Sequence, residues 1–265
     1  MKARDNKYQF KTIDQKFWND NDVFKTIFLD SLSVIFPQGE KQFIQDLRKS
    51  KEKINNENLL KEIDIFIKQE ARHSREHIKY NKILDNKYNT KLINKFYKNL
   101  HKITRKPFSD SLNLSITAGA EHYTAFLSDV ALRNFPIWFE NVNEEYKYLW
   151  IYHCVEEIEH KHVCFDAYKE IEGKYFKRLL GYLIITLSLN FTLLFNMTIM
   201  LSSNNLNWKE RFLFFKGAFK FLILEKQLFK MISHQVKYFH PNFHPNNLNS
   251  CHLVEKFKKE AEYVK

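Results

Sequence analysis

Glycine and proline are scarce, with five of each in 265 residues. So few glycines cannot supply the turns of a many-stranded sandwich or barrel, which argues against an all-β fold. The shortage of both favours long, uninterrupted helices. Cysteine is limited to Cys154, Cys164 and Cys251. An odd number without a CxxC pair excludes a disulfide scaffold and a thiolate zinc finger, and it fits a reducing compartment. The first residues, MKARDNKYQFKTIDQKFW, lack the apolar core of a signal peptide, so nothing there suggests export and a cytoplasmic chain is expected. No internal repeat and no low-complexity segment stands out.

Apolar residues form 44% of the chain and charged residues 28%, which is enough for a core and excludes general disorder. Lys and Arg outnumber Asp and Glu by 42 to 31, a formal charge of +11. A bias towards Lys, Asn, Ile and Phe explains much of this excess. The other explanation is an anionic partner, for which membrane lipid is the expectation and nucleic acid is not.

The chain divides into a polar lead-in (1–20), a helical bundle (21–173), hydrophobic and basic C-terminal helices (174–240) that pack on the bundle or meet a membrane, and a tail (241–265). After Asp22 an apolar run ends at Pro37–Gly39, and Glu40 opens a further helical stretch. A charged linker over 51–58 leads to the clearest helix, from Leu59 to Leu84. A shorter helix covers Leu92 to Ile103. Ser109 caps a long helix reaching Arg133. Beyond Pro136, a helix starting near Asn143 runs to Glu172.

Each long helix carries an acidic residue in its inward stripe. With Glu70 at 0° and 100° per residue, His73 falls at about −60° and His77 at about −20°, on the face of Ile63, Ile67 and Leu84. With His153 at 0°, Glu157 falls at about 40° and His160 at about −20°, with Glu156 near enough to compete with Glu157. Arg72, Arg75, Glu76, Glu159 and His162 point away. Glu121 is surrounded by the small residues Thr117, Ala118, Thr124, Ala125 and Ser128. Glu40 opens the apolar face of the first bundle helix. The order is therefore Glu40, then Glu70-x-x-His73, then Glu121, then Glu157-x-x-His160. Four carboxylates and two imidazoles from four helices form the donor set of dinuclear carboxylate centres in four-helix bundles. Four carboxylates neutralise two divalent cations, and mixed oxygen and nitrogen donors suit iron or manganese. The competing reading is a pair of buried ion-pair networks, but no lysine or arginine lies on these stripes.

His153-x3-Glu157-x2-His160 resembles the last ligand helix of the di-iron arylamine N-oxygenases. That resemblance makes His153 a seventh ligand; a supporting or core role is the alternative. His77 has the same ambiguity, with orientation of a ligand as its expected role. Most of the chain resembles the bacterial predicted metal-dependent hydrolases of the ferritin-like superfamily. The matching segments are Phe36-Pro37-Gln38-Gly39-Glu40, Gln69 to His73, Glu121 to Ala125, His153 to Lys161, and Tyr238 to Pro245. Asn246 stands where that family has Trp. The resemblance implies an all-α, ferritin-like four-helix bundle with additional C-terminal helices.

Leu179 to Leu201 is a stretch of 23 residues without charge, long enough to span a bilayer. It also carries Ser, Thr and Asn, which suit a helix buried in the bundle or in a dimer. In order, the readings are a buried or dimer helix, an in-plane membrane helix, and a span. The Phe-rich basic run that follows suits a membrane surface, so contact is expected through 179–230, on the inner face of the cell membrane. Three functions follow from the centre. The first is O2-dependent oxidation of a small, apolar substrate by two metal ions, iron before manganese. The second is hydrolysis by a metal-activated water. The third is metal storage, which the Phe-rich C-terminus fits poorly.

Overall fold

The computed structural model describes residues 1–10, 16–203 and 205–262. The lead-in positions 11–15 and the tail positions 263–265 lie outside the described residues. The described chain is all-α, and its single isolated β-bridge pairs Asn19 with Val142.

Two long helices open the chain. These are α1 (Val23–Ser50), capped by the Asp22 carboxylate, and α2 (Glu57–Leu84), capped by the Asn56 side chain. The expected break at Pro37–Gly39 does not occur, and α1 runs straight through Pro37. A proline inside a helix leaves the carbonyl four residues earlier without its donor. Here that carbonyl belongs to Ser33, and the Asn81 side-chain amide of α2 donates to it at 2.9 Å. The defect is repaired by a neighbouring helix, which a single-helix pattern does not register.

Next come α3 (Thr90–Thr104) and α4 (Asp110–Arg133), the latter capped by Ser109 as its sequence suggests. A short α5 (Phe135–Phe139) leads to α6 (Glu144–His160), capped by Asn143. The helix expected to reach Glu172 is interrupted at Lys161 and His162 and resumes as α7 (Val163–Ile171). The interruption coincides with the buried Lys161 ammonium, which donates to the Leu248 carbonyl and the Ser250 hydroxyl in the tail. Helices α1 and α2 pack along each other, as do α4 and α6, and further contacts join α1 to α4 and α2 to α6. This arrangement is compatible with a four-helix bundle.

The long α8 (Tyr175–Leu201) packs mainly on α4, and also on α1 and α3. The approach is close at Gly181, where a Cβ would stand 2.1 Å from the Ser115 hydroxyl, and at Gly119, where it would meet Tyr182. Among the described residues α8 alone is long and apolar enough to cross a membrane, and only 22% of its most apolar window is buried. It is therefore not a helix buried all round. Two further helices follow, α9 (Trp208–Phe219) and α10 (Gln227–Lys237), joined by a π-helical segment (Lys220–Leu224). Phe24 of α1 packs on Gly217 and Phe214, and Phe126 of α4 on His234. Finally α11 (Cys251–Ala261) lies along α6.

Residues 1–10 are more than a polar lead-in. Arg4, Asn6 and Tyr8 are buried. Asn6 donates to the Ala261 carbonyl, and Arg72 and Arg75 of α2 donate to the Ala3 and Asn6 carbonyls.

Candidate metal centre

Four helices bring their carboxylates to one place: Glu40 from α1, Glu70 from α2, Glu121 from α4 and Glu157 from α6, all buried. His73 joins them from α2, and His153 and His160 from α6. The His160 Nε2 lies 3.3 Å from Glu70 Oε1, 3.2 Å from Glu121 Oε2 and 3.5 Å from Glu157 Oε1. The His73 Nδ1 lies 3.6 Å from Glu70 Oε1 and 3.8 Å from Glu157 Oε1. The His153 Nε2 lies 3.3 Å from Glu157 Oε1, and its Nδ1 is 4.0 Å from Glu40 Oε1. Three overlapping groups have donor atoms mutually within 4.8 Å: Glu40, His73 and His153; Glu70, His73 and Glu157; and Glu70, Glu121 and His160. All seven expected residues thus share one cluster, with His73 and Glu70 each common to two groups.

Both carboxyl oxygens of Glu40, Glu70 and Glu121 are without a hydrogen-bond partner, as are Glu157 Oε2, His160 Nε2 and His73 Nδ1. The close approaches lack hydrogen-bond alignment, which is what results when lone pairs aim at shared space. Among the described residues no lysine or arginine pairs with any of the four carboxylates. Buried anions left this way are costly unless cations are supplied. The donor set fits divalent metal ions, and mixed carboxylate and imidazole donors suit iron, manganese or zinc.

Without metal, protons carry the charge balance. Burial, reinforced by Glu157, pushes the Glu121 carboxyl up to about 8. Burial and Glu70 push Glu40 well above the usual carboxylate range. Burial opposes charge on His73, but Glu156 and Glu70 raise it to about 10. Burial likewise opposes charge on His160, yet Glu121 and Glu157 hold it well above the usual imidazole value. Glu157 is drawn well below its ordinary value by His153 and His160, against the effect of burial. Metal ions binding here would displace such protons.

The surrounding groups fix which nitrogen faces inward. The His160 Nδ1 is 3.1 Å from Gln69 Oε1, an oxygen that only accepts, so Nδ1 is kept as a donor and Nε2 is the nitrogen that faces the cluster, where a metal ion would replace its proton. The Gln69 amide is oriented by donating to the Lys2 carbonyl and to Glu159. A second chain sets His153. The Ser33 hydroxyl donates to Asn81 Oδ1 at 2.7 Å, so it accepts from His77 Nδ1 at 2.8 Å. The His77 Nε2 then accepts from His153 Nδ1 at 3.0 Å, leaving His153 Nε2 facing Glu157. His77 thus orients an imidazole; burial, with His153 adding, lowers its pKa well below the usual value and keeps it neutral.

Glu156 and Glu157 differ in their surroundings. Glu157 stands among the three imidazoles. Glu156 lies outside them, with Oε2 3.1 Å from His73 Nε2 and Oε1 accepting from the Arg4 backbone and guanidinium at 3.0 and 3.2 Å. Arg4 is the basic partner that the helix stripes do not contain, and it reaches Glu156 from the N-terminal segment. Glu76, which the helical wheel turns outward, is buried beneath that segment and accepts from Tyr8, Arg75 and Lys79. Gln69 appears in the matching segment Gln69 to His73. Arg4, Ser33 and Asn81 carry no signal on their own.

A cavity of about 60 Å³ reaches Glu40, His153 and Glu157 between α1, α3, α4 and α8. Its walls include Phe36, Phe43, Tyr97, Leu127 and Ile185, with Ala120 and Thr124 beside Glu121. Thr117 is engaged elsewhere, donating to Asp46 at 2.7 Å. A second cavity of about 40 Å³ is lined by His153 together with Trp138, Trp150 and Phe221. In the tail, His244 pairs with Asp166 at 2.8 Å, the structural role its neighbouring prolines suggest.

Comparison with curated proteins and with solved structures gives no match. Residues 2–249 match the family described as predicted metal-dependent hydrolase, and this chain, whose buried carboxylates and imidazoles could hold metal ions, belongs to it.

Proposed function

We propose that this chain is a metal-dependent enzyme. Its dinuclear centre is held by Glu40, Glu70, His73, Glu121, His153, Glu157 and His160, and its reaction is hydrolysis of a bond in a small, largely apolar substrate. The carrying observation is the set of buried carboxylate oxygens that meet three imidazoles without hydrogen-bond partners. The family description favours hydrolysis over other metal chemistry. Bound divalent ions would supply the reaction with a water of lowered pKa and with a polarised substrate oxygen. The protein's own residues do the rest. Gln69 and Glu156 hold His160 and His73 in place, and His77 holds His153. Glu40, His153 and Glu157 line the cavity where substrate would meet the ions, and its aromatic and aliphatic walls limit water.

One observation favours a second reading, O2-dependent oxidation at an iron pair. Seven buried oxygen and nitrogen donors leave few open coordination positions for both a water and a hydrolysable substrate. The two readings part in one experiment. Zinc and ferrous iron are loaded separately, and turnover of ester and phosphate substrates is followed alongside O2 consumption. Zinc-supported turnover with no O2 uptake is the expected result. Rapid O2 uptake by the ferrous form with no zinc-supported turnover selects oxidation. In either case Glu70→Ala and His160→Ala should abolish stoichiometric metal uptake while the circular dichroism stays helical. Full metal occupancy in these variants would end the proposal.

A further inference from the structure

We propose that the outer faces of α8, α9 and α10 form one docking surface for a membrane that contains anionic lipid. On α8 the residues Phe176, Leu180, Leu183, Leu187, Phe191 and Leu194 follow steps of three and four, which places them on one stripe. Their exposure runs from 45% at Leu183 to 82% at Phe176. In the segment from α9 to α10, Phe212, Phe215, Phe219, Leu224, Phe229 and Val236 are each at least 57% exposed. Contiguous exposed apolar surface of this extent marks an interaction site.

The two sets belong to the same side of the molecule. Ile184, Ile185 and Ser188 of α8 line one cavity, and Phe221 of the π-helical segment lines the other. Both cavities share Leu32, Phe36, Thr124 and Leu127, from α1 and α4, as their floor. Helix α8 packs on α4 and α1, α9 on α1 and α10 on α4, so all three lie over the α1–α4 pair. The chain turns into α10 at Lys226, whose φ of +55° is unusual for a residue with a side chain.

Charge selects the occupant. Residues 208–237 contain seven lysines and arginines against two glutamates. Lys209, Lys216, Lys220, Lys226, Lys230 and Lys237 are all exposed. A second copy docking through the same face would set this patch against itself, lysine facing lysine. An anionic lipid surface instead satisfies the apolar side chains and the ammonium groups together. The inner side of α8 is already committed to protein: Gly181 lies against Ser115, and the Asn196 amide donates to the Ser31 carbonyl at 3.1 Å. A helix held along one side and apolar along the other lies in an interface. The inference stands on this surface alone and does not depend on which reaction the metal centre performs.

The test is flotation of the full chain with vesicles of phosphatidylcholine alone, or with about 30% phosphatidylglycerol added. The chain is used both metal-loaded and chelated. Binding should favour the anionic vesicles at least tenfold and weaken as salt rises. At about fivefold per lysine, the triple variant Lys216→Glu, Lys220→Glu, Lys230→Glu should lose about 100-fold. Phe215→Glu with Phe229→Glu should lose at least tenfold. Circular dichroism and a cooperative melt check folding, and the lysine variant decides alone if the phenylalanine variant does not fold. Absence of binding to anionic vesicles, or equal binding by the lysine variant and the unaltered chain, overturns the proposal. So does a stable dimer by light scattering that ignores vesicles and falls apart in the phenylalanine variant. Loss of vesicle binding with normal metal uptake would leave the proposed chemistry standing, and the reverse holds too.

Discussion

Three carboxylates on α1 are fully buried within a few turns of one another, yet they live in different surroundings: Asp30, Glu40 and Asp46. Asp30 accepts from the Trp18 indole at 2.8 Å and from the Tyr80 and Tyr88 hydroxyls. Asp46 accepts from Arg105 at 3.0 Å, from Thr117 at 2.7 Å and from Gln42 at 2.7 Å. Glu40, between them, has no hydrogen-bond partner on either oxygen. The protein can satisfy a buried carboxylate from its own donors and does so on both sides. The middle position has no such donor, and it is the one that lies with His73 and His153 in a group able to hold a metal ion.

The sharpest way to break this comparison is to exchange carboxylate for amide at two of the positions in chelator. Asp46→Asn leaves the Arg105 guanidinium buried without its anion, and a guanidinium cannot shed its proton. A loss of about 3–5 kcal/mol is expected, read as a lower melting temperature or denaturant midpoint. Glu40→Gln should cost less than about 1 kcal/mol, because burial and Glu70 already disfavour the charged carboxylate and the amide is a near-isostere of the carboxyl. If Glu40→Gln is as damaging as Asp46→Asn without metal, Glu40 has a structural role instead.

The pH dependence gives a second, smaller contrast. Glu121 and His73 have folded-state values raised to about 8 and about 10, above their ordinary ranges. A group raised on folding stabilises the folded state fully below its unfolded value, and that stability is lost as pH rises through the folded value. The chelated protein should therefore weaken between pH 7 and pH 9, by up to about 1.4 kcal/mol per pH unit for each proton held. Adding metal should flatten the trend, because the ions take over from the protons. Thermal melts across that range, with and without metal, read it directly. A chelated protein that gains stability over the same range would contradict the proton-balanced centre.

The mildest change is Ser33→Ala. It removes the hydroxyl that fixes the His77 tautomer and, through it, presents the His153 Nε2 to the cluster. Metal affinity should fall about tenfold or more while the melting temperature of the chelated protein barely moves. An unchanged metal titration would separate His153 from the ligand set.

Much of the centre was legible because helical spacing is a local property. Two Glu-x-x-His pairs and two lone glutamates on apolar stripes are read from residue order, and the structure brings all of them together. The Ser109 and Asn143 caps were equally local. The continuity of α1 through Pro37 was not, since it rests on the Asn81 amide from another helix. The interruption after His160 was also hidden, because it accompanies a bond from Lys161 to residues of the tail. Glu76 misled the helical wheel because a segment far off in the chain folds over that face.

Residue order by itself determined the helical class, the donor types and their place on the inward faces, since periodicity and capping act within a few residues. Only the tertiary structure decided that Glu157 joins the imidazoles while Glu156 takes Arg4, and which nitrogen each imidazole turns inward. It also decided that α8 keeps one apolar face outside. These outcomes depend on which distant donors and surfaces arrive nearby, and desolvation makes each buried polar atom answer to whatever neighbour the fold supplies.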